Sequence, residues 1–130
     1  MRVIIGVLLF TTVLLGCNNL PTSVSPEIGE PFKIKLGQSL EFQNEALNVR
    51  FEEMLEDSRC PEGATCFWAG NARIIIQLND LKTELNTYLD PKITDISDFT
   101  VELISLTPYP NIIKKIDKDE YTAELRVLRN

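Results

Sequence analysis

The sequence predicts an all-β fold, a small antiparallel β-sandwich or partly open barrel of about seven or eight strands. Apolar and polar residues alternate in several short segments, which is typical of strands with one buried face. Turn signals separate these segments at intervals of about 8–12 residues. A third observation is the isoleucine-rich segment 72–78, which directly follows a stretch containing two cysteines and the only tryptophan. We expect that segment to be the central strand.

Four strands are predicted in the first half of the chain. Segments 32–36 and 40–42 alternate apolar and polar residues on either side of a Gly37–Gln38 turn. The alternation returns in 47–51 and continues weakly to residue 57. Segment 72–78 is apolar enough to predict a strand buried on both faces.

The second half predicts three further strands and the connections between them. Asn79–Asp80 is a turn signal, and 82–89 is the expected hairpin partner of the preceding strand. Segment 91–98 is expected to be a connection with room for a short helical turn. The strand predicted from residue 99 changes phase at Ile104, which indicates a bulge. After a break at 108–111 and a turn at 117–120, residues 121–127 form the expected closing strand.

Residues 1–16 are predicted to be a signal peptide outside the fold. Arg2 supplies one positive charge, and residues 3–15 are uncharged and mostly apolar. As a helix, those thirteen residues would extend only about 20 Å, whereas the hydrocarbon core of a bilayer is about 30 Å thick. A charged start followed by a short apolar stretch is typical of a secretory signal.

The next residues, Leu14-Leu15-Gly16-Cys17, resemble the lipobox of bacterial lipoproteins. Leu14 and Gly16 match its pattern, whereas Leu15 departs from the smaller residue that is usual there. The resemblance implies cleavage before Cys17 by signal peptidase II, attachment of diacylglycerol to the thiol, and palmitate or a similar acyl chain on the amine. Two or three such chains anchor a protein firmly to a membrane. The alternative is an ordinary cleaved signal that leaves Cys17 as a free thiol.

Residues 17–31 are expected to be a lipidated flexible tether, and 32–130 a single β domain. Removal of Arg2 from the 13 basic residues leaves 12 against 19 acidic ones, a net charge of −7. This charge argues against nucleic acid as a partner and against electrostatic adhesion to anionic lipids. Contact with the membrane, the expected partner, would therefore be made through the N-terminal lipid. Asn18 and the lack of an acidic run after Cys17 favour a periplasm-facing location over the cell surface.

Cys60 and Cys66, with five residues between them, predict a disulfide in an exported protein. A ring of this size would contribute about 2–2.5 kcal/mol on a chain-entropy basis. A redox site is an alternative, although the spacing is not Cys-x-x-Cys. A zinc site is less favoured because the chain contains no histidine. No cofactor and no metal are therefore expected.

The residues beside this predicted ring are the candidate contact residues. Arg59, Pro61 and Glu62 would contact a protein or peptide partner if they are exposed. The alternative for Arg59 is an ion pair with Asp57 or Glu56 that orders the loop. We expect Trp68, which precedes the isoleucine-rich strand, to lie in the core.

The stretch Ser58-Arg59-Cys60-Pro61, followed by Cys66-Phe67-Trp68-Ala69-Gly70-Asn71-Ala72, is similar to one found in small β-rich lipoproteins of the bacterial envelope. The resemblance covers about fifteen residues. It implies a β-rich periplasmic or surface domain, and it implies no activity.

Catalytic chemistry has little support in the composition. Without histidine, neither a Ser-His-Asp nor a Cys-His arrangement can form. Carboxylate pairs such as Glu52 with Glu53 or Asp117 with Asp119 are expected to be solvated rather than catalytic. The sequence therefore predicts a lipid-anchored envelope lipoprotein that is a binding or structural module and not an enzyme. The alternatives are a peptidase inhibitor that presents the Cys60–Cys66 loop and, less favoured, an enzyme that uses carboxylates alone.

Overall fold

A computed structural model describes residues 25–130 of the chain. Two antiparallel sheets of four strands each pack on one apolar core, and they are not closed into a barrel. The predicted all-β sandwich is therefore confirmed. The strands are β1 Pro31–Lys35, β2 Ser39–Phe42, β3 Leu47–Asp57, β4 Ala72–Leu78, β5 Leu81–Asn86, β6 Ile93–Ile96, β7 Phe99–Thr107 and β8 Thr122–Arg129. Cys17, the predicted signal peptide and much of the predicted tether lie outside the described residues.

The chain follows a meander in which neighbours in sequence are neighbours in space. One sheet has the order β2-β3-β4-β5, and the other has the order β1-β8-β7-β6. The chain passes between the sheets after β1 and again after β5. The first strand then pairs antiparallel with the last, with Phe32 opposite Leu125. Short turns suffice for most of these connections because each strand follows its neighbour.

The core is formed by the inward faces of both sheets. In β4, Ala72, Ile74, Ile76 and Leu78 are buried, whereas the residues between them are partly exposed. The expectation that this strand is buried on both faces is thus wrong. No further layer of the described residues covers the outer face of its sheet, so only one face is withdrawn from water.

Some local predictions along the chain are confirmed and others are wrong. A register shift between Leu103 and Ser105 confirms the bulge expected at Ile104. The connection 91–98 is not helical, because it contains β6, which pairs with β7 from Ile93 to Ile96. The turn expected at 117–120 is a single 3-10 turn, Lys118–Glu120. Among residues 25–130, no helix has the length and apolar character needed to cross a membrane.

The two ends of the sandwich differ in the length of their connections. The loop end consists of the three long loops 58–71, 87–92 and 108–121. The tether end consists of residues 25–30 and the turns 43–46, 79–80 and 97–98. At the tether end, Ser25 to Ile28 lie beside the 43–46 turn. Each connection reverses an antiparallel strand, so the chain alternates between these ends.

Candidate functional site

The ring closed by Cys60 and Cys66 lies at the loop end, between the other two loops. The two cysteines form a disulfide with their Cα atoms 5.9 Å apart, which confirms the predicted pairing. The ring is also bonded to loop 108–121 through its backbone. The amide of Glu62 donates to the carbonyl of Pro110 at 2.9 Å, and its carbonyl accepts from the amide of Ile112 at 3.3 Å. The ring is therefore held at two points besides the disulfide.

Arg59 is buried beneath this ring, with only 7% of the residue exposed. Its guanidinium donates to both carboxylate oxygens of Asp57, at 2.8 and 2.6 Å. It also donates to the carbonyls of Leu106 at 2.7 Å and Pro108 at 2.9 Å. The Arg59 carbon Cζ lies 4.9 Å from the centre of the Tyr109 ring, within cation–π range.

The interpretation of Arg59 as an exposed partner contact is thus wrong, and the alternative ion pair with Asp57 is what forms. A guanidinium has five N–H donors and no acceptor, so burial requires several carbonyl and carboxylate partners. Loop 108–121 supplies part of that set, and it is distant in sequence from Arg59. Of the other two candidates, Pro61 is half-buried and Glu62 has an exposed side chain.

The ion pair is extended by Tyr121, whose hydroxyl donates to Oδ2 of Asp57 at 3.0 Å. Burial alone would raise the pKa of the Asp57 carboxyl. The hydrogen bonds and charge of Arg59, with the hydroxyl of Tyr121, outweigh burial and keep that pKa below its usual range. Burial, the hydrogen bond to Asp57 and the charge of Asp57 raise the pKa of Tyr121 to about 12. Asp57 is therefore ionised and Tyr121 protonated at neutral pH.

Asn71 joins the first loop to the second. Its side-chain amide donates to the Asn86 side chain at 2.8 Å, and its Oδ1 accepts from the amides of Tyr88 and Leu89. Its backbone carbonyl accepts from the amide of Ser58 at 2.7 Å. Asn71 could not be recognised from the sequence, because an asparagine before a strand gives no signal that distinguishes a buried bridge from an ordinary turn residue.

Trp68 is on the surface, with 56% of the residue exposed. The prediction that it lies in the core is wrong. Residues 67–71 bend before β4 begins, so strand alternation does not determine the direction of this side chain. Its indole N–H donates to the carbonyl of Ser58 at 2.9 Å, which fixes the ring against the loop. Phe67, next to it, is fully exposed.

A shallow pocket of about 240 Å³ lies beside Trp68. Its lining includes the side chains of Trp68, Tyr88 and Leu89. The polar residues at its base, Ser58 and Asn71, already have hydrogen-bond partners. The pocket therefore offers apolar contact rather than hydrogen bonds.

Exposed apolar side chains are concentrated at the loop end. Among the described residues, twelve large apolar side chains are exposed, and seven of them lie on the three loops. These seven, which we call the apolar cluster, are Phe67, Trp68, Tyr88, Leu89, Tyr109, Ile112 and Ile113. Sequence reasoning placed Trp68 in the core and did not single out the other six as contact residues, because exposure in a loop depends on contacts that no local pattern shows.

The loop end offers exposed apolar side chains for contact. Within residues 25–130, no group of three or more His, Cys, Asp or Glu side chains is placed to bind a metal ion. The guanidinium of Arg59 and the carboxylate of Asp57 are already hydrogen-bonded to each other and to neighbouring groups of the domain. Comparisons with protein-family models, with curated proteins and with solved structures find no match to this chain.

Proposed function

We propose that this chain is a lipid-anchored lipoprotein of the bacterial cell envelope and acts as a binding module through its loop end. The apolar cluster is the observation that carries the proposal, since seven of the twelve exposed large apolar side chains of the described residues lie there. Exposed apolar side chains concentrated at one end of a small domain are typical of an interaction site. The lipid anchor at Cys17 is supported by the lipobox resemblance of Leu14-Leu15-Gly16-Cys17.

The proposed anchor and the proposed binding surface belong to opposite ends of the domain. Ser25, the first described residue, lies at the tether end beside the 43–46 turn. The 11 residues of β3 run from that end to the loop end, a length of about 35 Å for an extended strand. An anchor at Cys17 would therefore hold the apolar cluster away from the bilayer, where it can meet another protein.

The loop end is also ordered in advance of any partner. The Cys60–Cys66 disulfide, the buried Arg59 and the side chain of Asn71 each join two or more segments of it. A surface that is already ordered loses less conformational entropy on binding, and its affinity is correspondingly higher.

The alternative function, a peptidase inhibitor, receives less support. An inhibitory loop must offer a peptidase its backbone as an added strand or substrate-like segment. Here the amide and carbonyl of Glu62 are bonded to Pro110 and Ile112, and Arg59 is buried. These contacts favour recognition through side chains of the apolar cluster over insertion of the Cys60–Cys66 loop into a cleft.

The anchor is tested by metabolic labelling of the full chain with an alkyne fatty acid in a bacterial host. Wild type should carry the label and partition into detergent, and Cys17→Ser should lose both properties. The matched control is Cys60→Ser with Cys66→Ser, which should remain labelled. Equal labelling of Cys17→Ser and wild type would contradict lipidation at this residue.

The binding surface is tested by photo-crosslinking of the full chain in cells. Phe67→p-benzoylphenylalanine places the crosslinker in the apolar cluster, and Leu81→p-benzoylphenylalanine places it at the tether end on a residue that is half exposed. Adducts that form from position 67 and not from position 81 support the proposal. Equal adducts from both positions, or none from position 67, would overturn it.

A further inference from the structure

We infer that the partner of the loop end is a second copy of this chain, bound end to end through the apolar cluster. The inference rests on the proposed function, because it names the partner of the same surface. Three properties of the loop end lead to it: the area of the cluster, its charge, and its shape.

The area of the apolar cluster matches what a stable dimer requires. Phe67 is fully exposed, Ile113 is 93% exposed, and the other five members are each about half exposed or more. Taking about 150–250 Å² for a large side chain, the cluster presents on the order of 700–1,200 Å². A stable interface buries about 800 Å² on each partner. The largest apolar patch of a typical monomer is only about 300–600 Å².

The charge of the loop end suits contact between identical surfaces. The three loops contain five basic and five acidic residues, and because Arg59 is buried against Asp57, the remaining four basic and five acidic residues carry a net charge of −1. The rest of the described chain contains seven basic and fourteen acidic residues, a net charge of −7. Two copies would repel each other side by side, because both bodies are acidic. End to end they meet through nearly neutral surfaces in which both signs are mixed.

The loop end offers both an exposed side chain and a recess. A two-fold interface uses the same patch twice, so one surface must offer both a protruding group and a recess for it. Phe67 is fully exposed, and the next residue, Trp68, lines the pocket of about 240 Å³ together with Tyr88 and Leu89. The base of the pocket has no unsatisfied polar group, so an aromatic ring can enter it without leaving a hydrogen bond unmade.

The inference is tested with full chains that carry two different epitope tags and are expressed together. Ile113→p-benzoylphenylalanine is introduced into one tagged form, and the other form remains wild type. After illumination, we expect an adduct of twice the monomer mass that contains both tags. An adduct with a different protein only would overturn the second copy as partner and would leave the proposed binding function standing. An absence of adducts from both position 67 and position 113 would overturn both.

A substitution shows whether the contact depends on the cluster. Phe67→Glu places a charge on each copy at the centre of the proposed contact, and we expect the two-tag adduct from position 113 to fall about tenfold or more. Leu81→Glu, at the tether end, is the matched control and should leave the adduct unchanged. Phe67 is fully exposed, so its replacement should not change the melting temperature. An undiminished adduct in Phe67→Glu would contradict the inference.

Discussion

Arg59 links the end of β3 to the end of β7. Its guanidinium contacts Asp57 at the end of β3 and the carbonyls of Leu106 and Pro108 at the end of β7. These two strands belong to different sheets. The side chain therefore connects the sheets at a point where the apolar core ends.

Replacement of Arg59 should be strongly destabilising. Arg59→Ala leaves the Asp57 carboxylate without its charged partner and removes a donor from each of two carbonyls. Breaking a buried ion pair costs about 3–5 kcal/mol. The side chain of Asp57 is 10% exposed, so we expect the lower part of that range, measured as the free energy of unfolding in urea.

The matched control is Arg73→Ala. Arg73 also pairs with carboxylates, but 40% of its side chain is exposed. An exposed ion pair contributes about 0–1 kcal/mol, so the control should lose little stability. Similar losses in the two variants would show that Arg59 is not a buried structural residue.

Tyr121 makes the stability of the domain depend on pH in the alkaline range. Its pKa in the folded protein is raised to about 12 from an ordinary value of 10.0. A raised folded pKa stabilises the fold below the ordinary value, and that stabilisation is lost as the pH rises toward 12. We expect the melting temperature to fall between pH 10 and pH 12, together with a late step in tyrosinate absorbance. Tyr121→Phe should abolish that step. A step that persists in the variant would assign it to another tyrosine.

The two arms of loop 58–71, the segments before and after the disulfide ring, approach each other closely through backbone as well as through side chains. Gly70 lies where the chain returns past Arg59 and Cys60. A Cβ atom added there would stand 2.7 Å from the amide nitrogen of Cys60 and 2.8 Å from Cα of Arg59. Gly70 also has a φ of +74°, which an L side chain rarely adopts.

A comparison of Gly70→Ala with Gly37→Ala separates the cost of the close backbone contact from the cost of the positive φ. Gly37 has a similar φ of +83°, and an added Cβ would meet nothing within 4 Å. Gly37→Ala should cost about 1–2 kcal/mol through backbone strain alone. Gly70→Ala should cost more, because the backbone of Arg59 and Cys60 must also move. The measurement is the free energy of unfolding of each variant. A Gly70→Ala cost no larger than that of Gly37→Ala would contradict the close approach of the two arms.

Most strands were predictable from the sequence because their signal is local. β1, β3 and β8 alternate apolar and polar residues in a period of two, as a strand with one buried face requires, and β4 has a run of three isoleucines. β6 was missed because it has only four residues, Ile93 to Ile96, and it becomes a strand by pairing with β7. Its residues, Ile93-Thr94-Asp95-Ile96, do not alternate apolar and polar in a period of two, so the local pattern does not indicate a strand.

At the scale of the molecule, the apolar core does not include the ring. The buried residues of the core come from the strands of both sheets, together with Tyr121, and they include neither Cys60 nor Cys66. The disulfide therefore stabilises the loop end by limiting the unfolded chain rather than by packing.

Removal of the disulfide should weaken the domain without changing its fold. Cys60→Ala with Cys66→Ala should lower the free energy of unfolding by about 1–3 kcal/mol. The β-type circular dichroism should stay as in wild type, because the sheets do not contain the ring. Reduction of the wild-type protein provides the control and should give the same loss. Collapse of the β signal in the double variant would show that the ring is needed for the sandwich itself.

The candidate site was only partly predictable, since it exists only in the assembled molecule. The Cys60–Cys66 pair could be predicted because a disulfide needs just two cysteines at a suitable spacing. The burial of Arg59 depends on carbonyls of Leu106 and Pro108, more than forty residues away. The exposure of Trp68 depends on how the chain bends before β4. Neither property is encoded in the neighbouring residues.

The pairing of the first strand with the last has a consequence for folding during synthesis. Phe32 in β1 pairs with Leu125 in β8. During synthesis, β1 therefore has no partner until more than ninety further residues have emerged from the ribosome. Contacts across so long a stretch of chain form late and slowly. A nascent chain that lacks β8 can assemble the sheet β2-β3-β4-β5 and the β6–β7 hairpin, but the second sheet lacks the strand that joins β1 to β7. Loss of the last eight-residue strand would thus expose the whole core to proteolysis, rather than trim one edge of the domain.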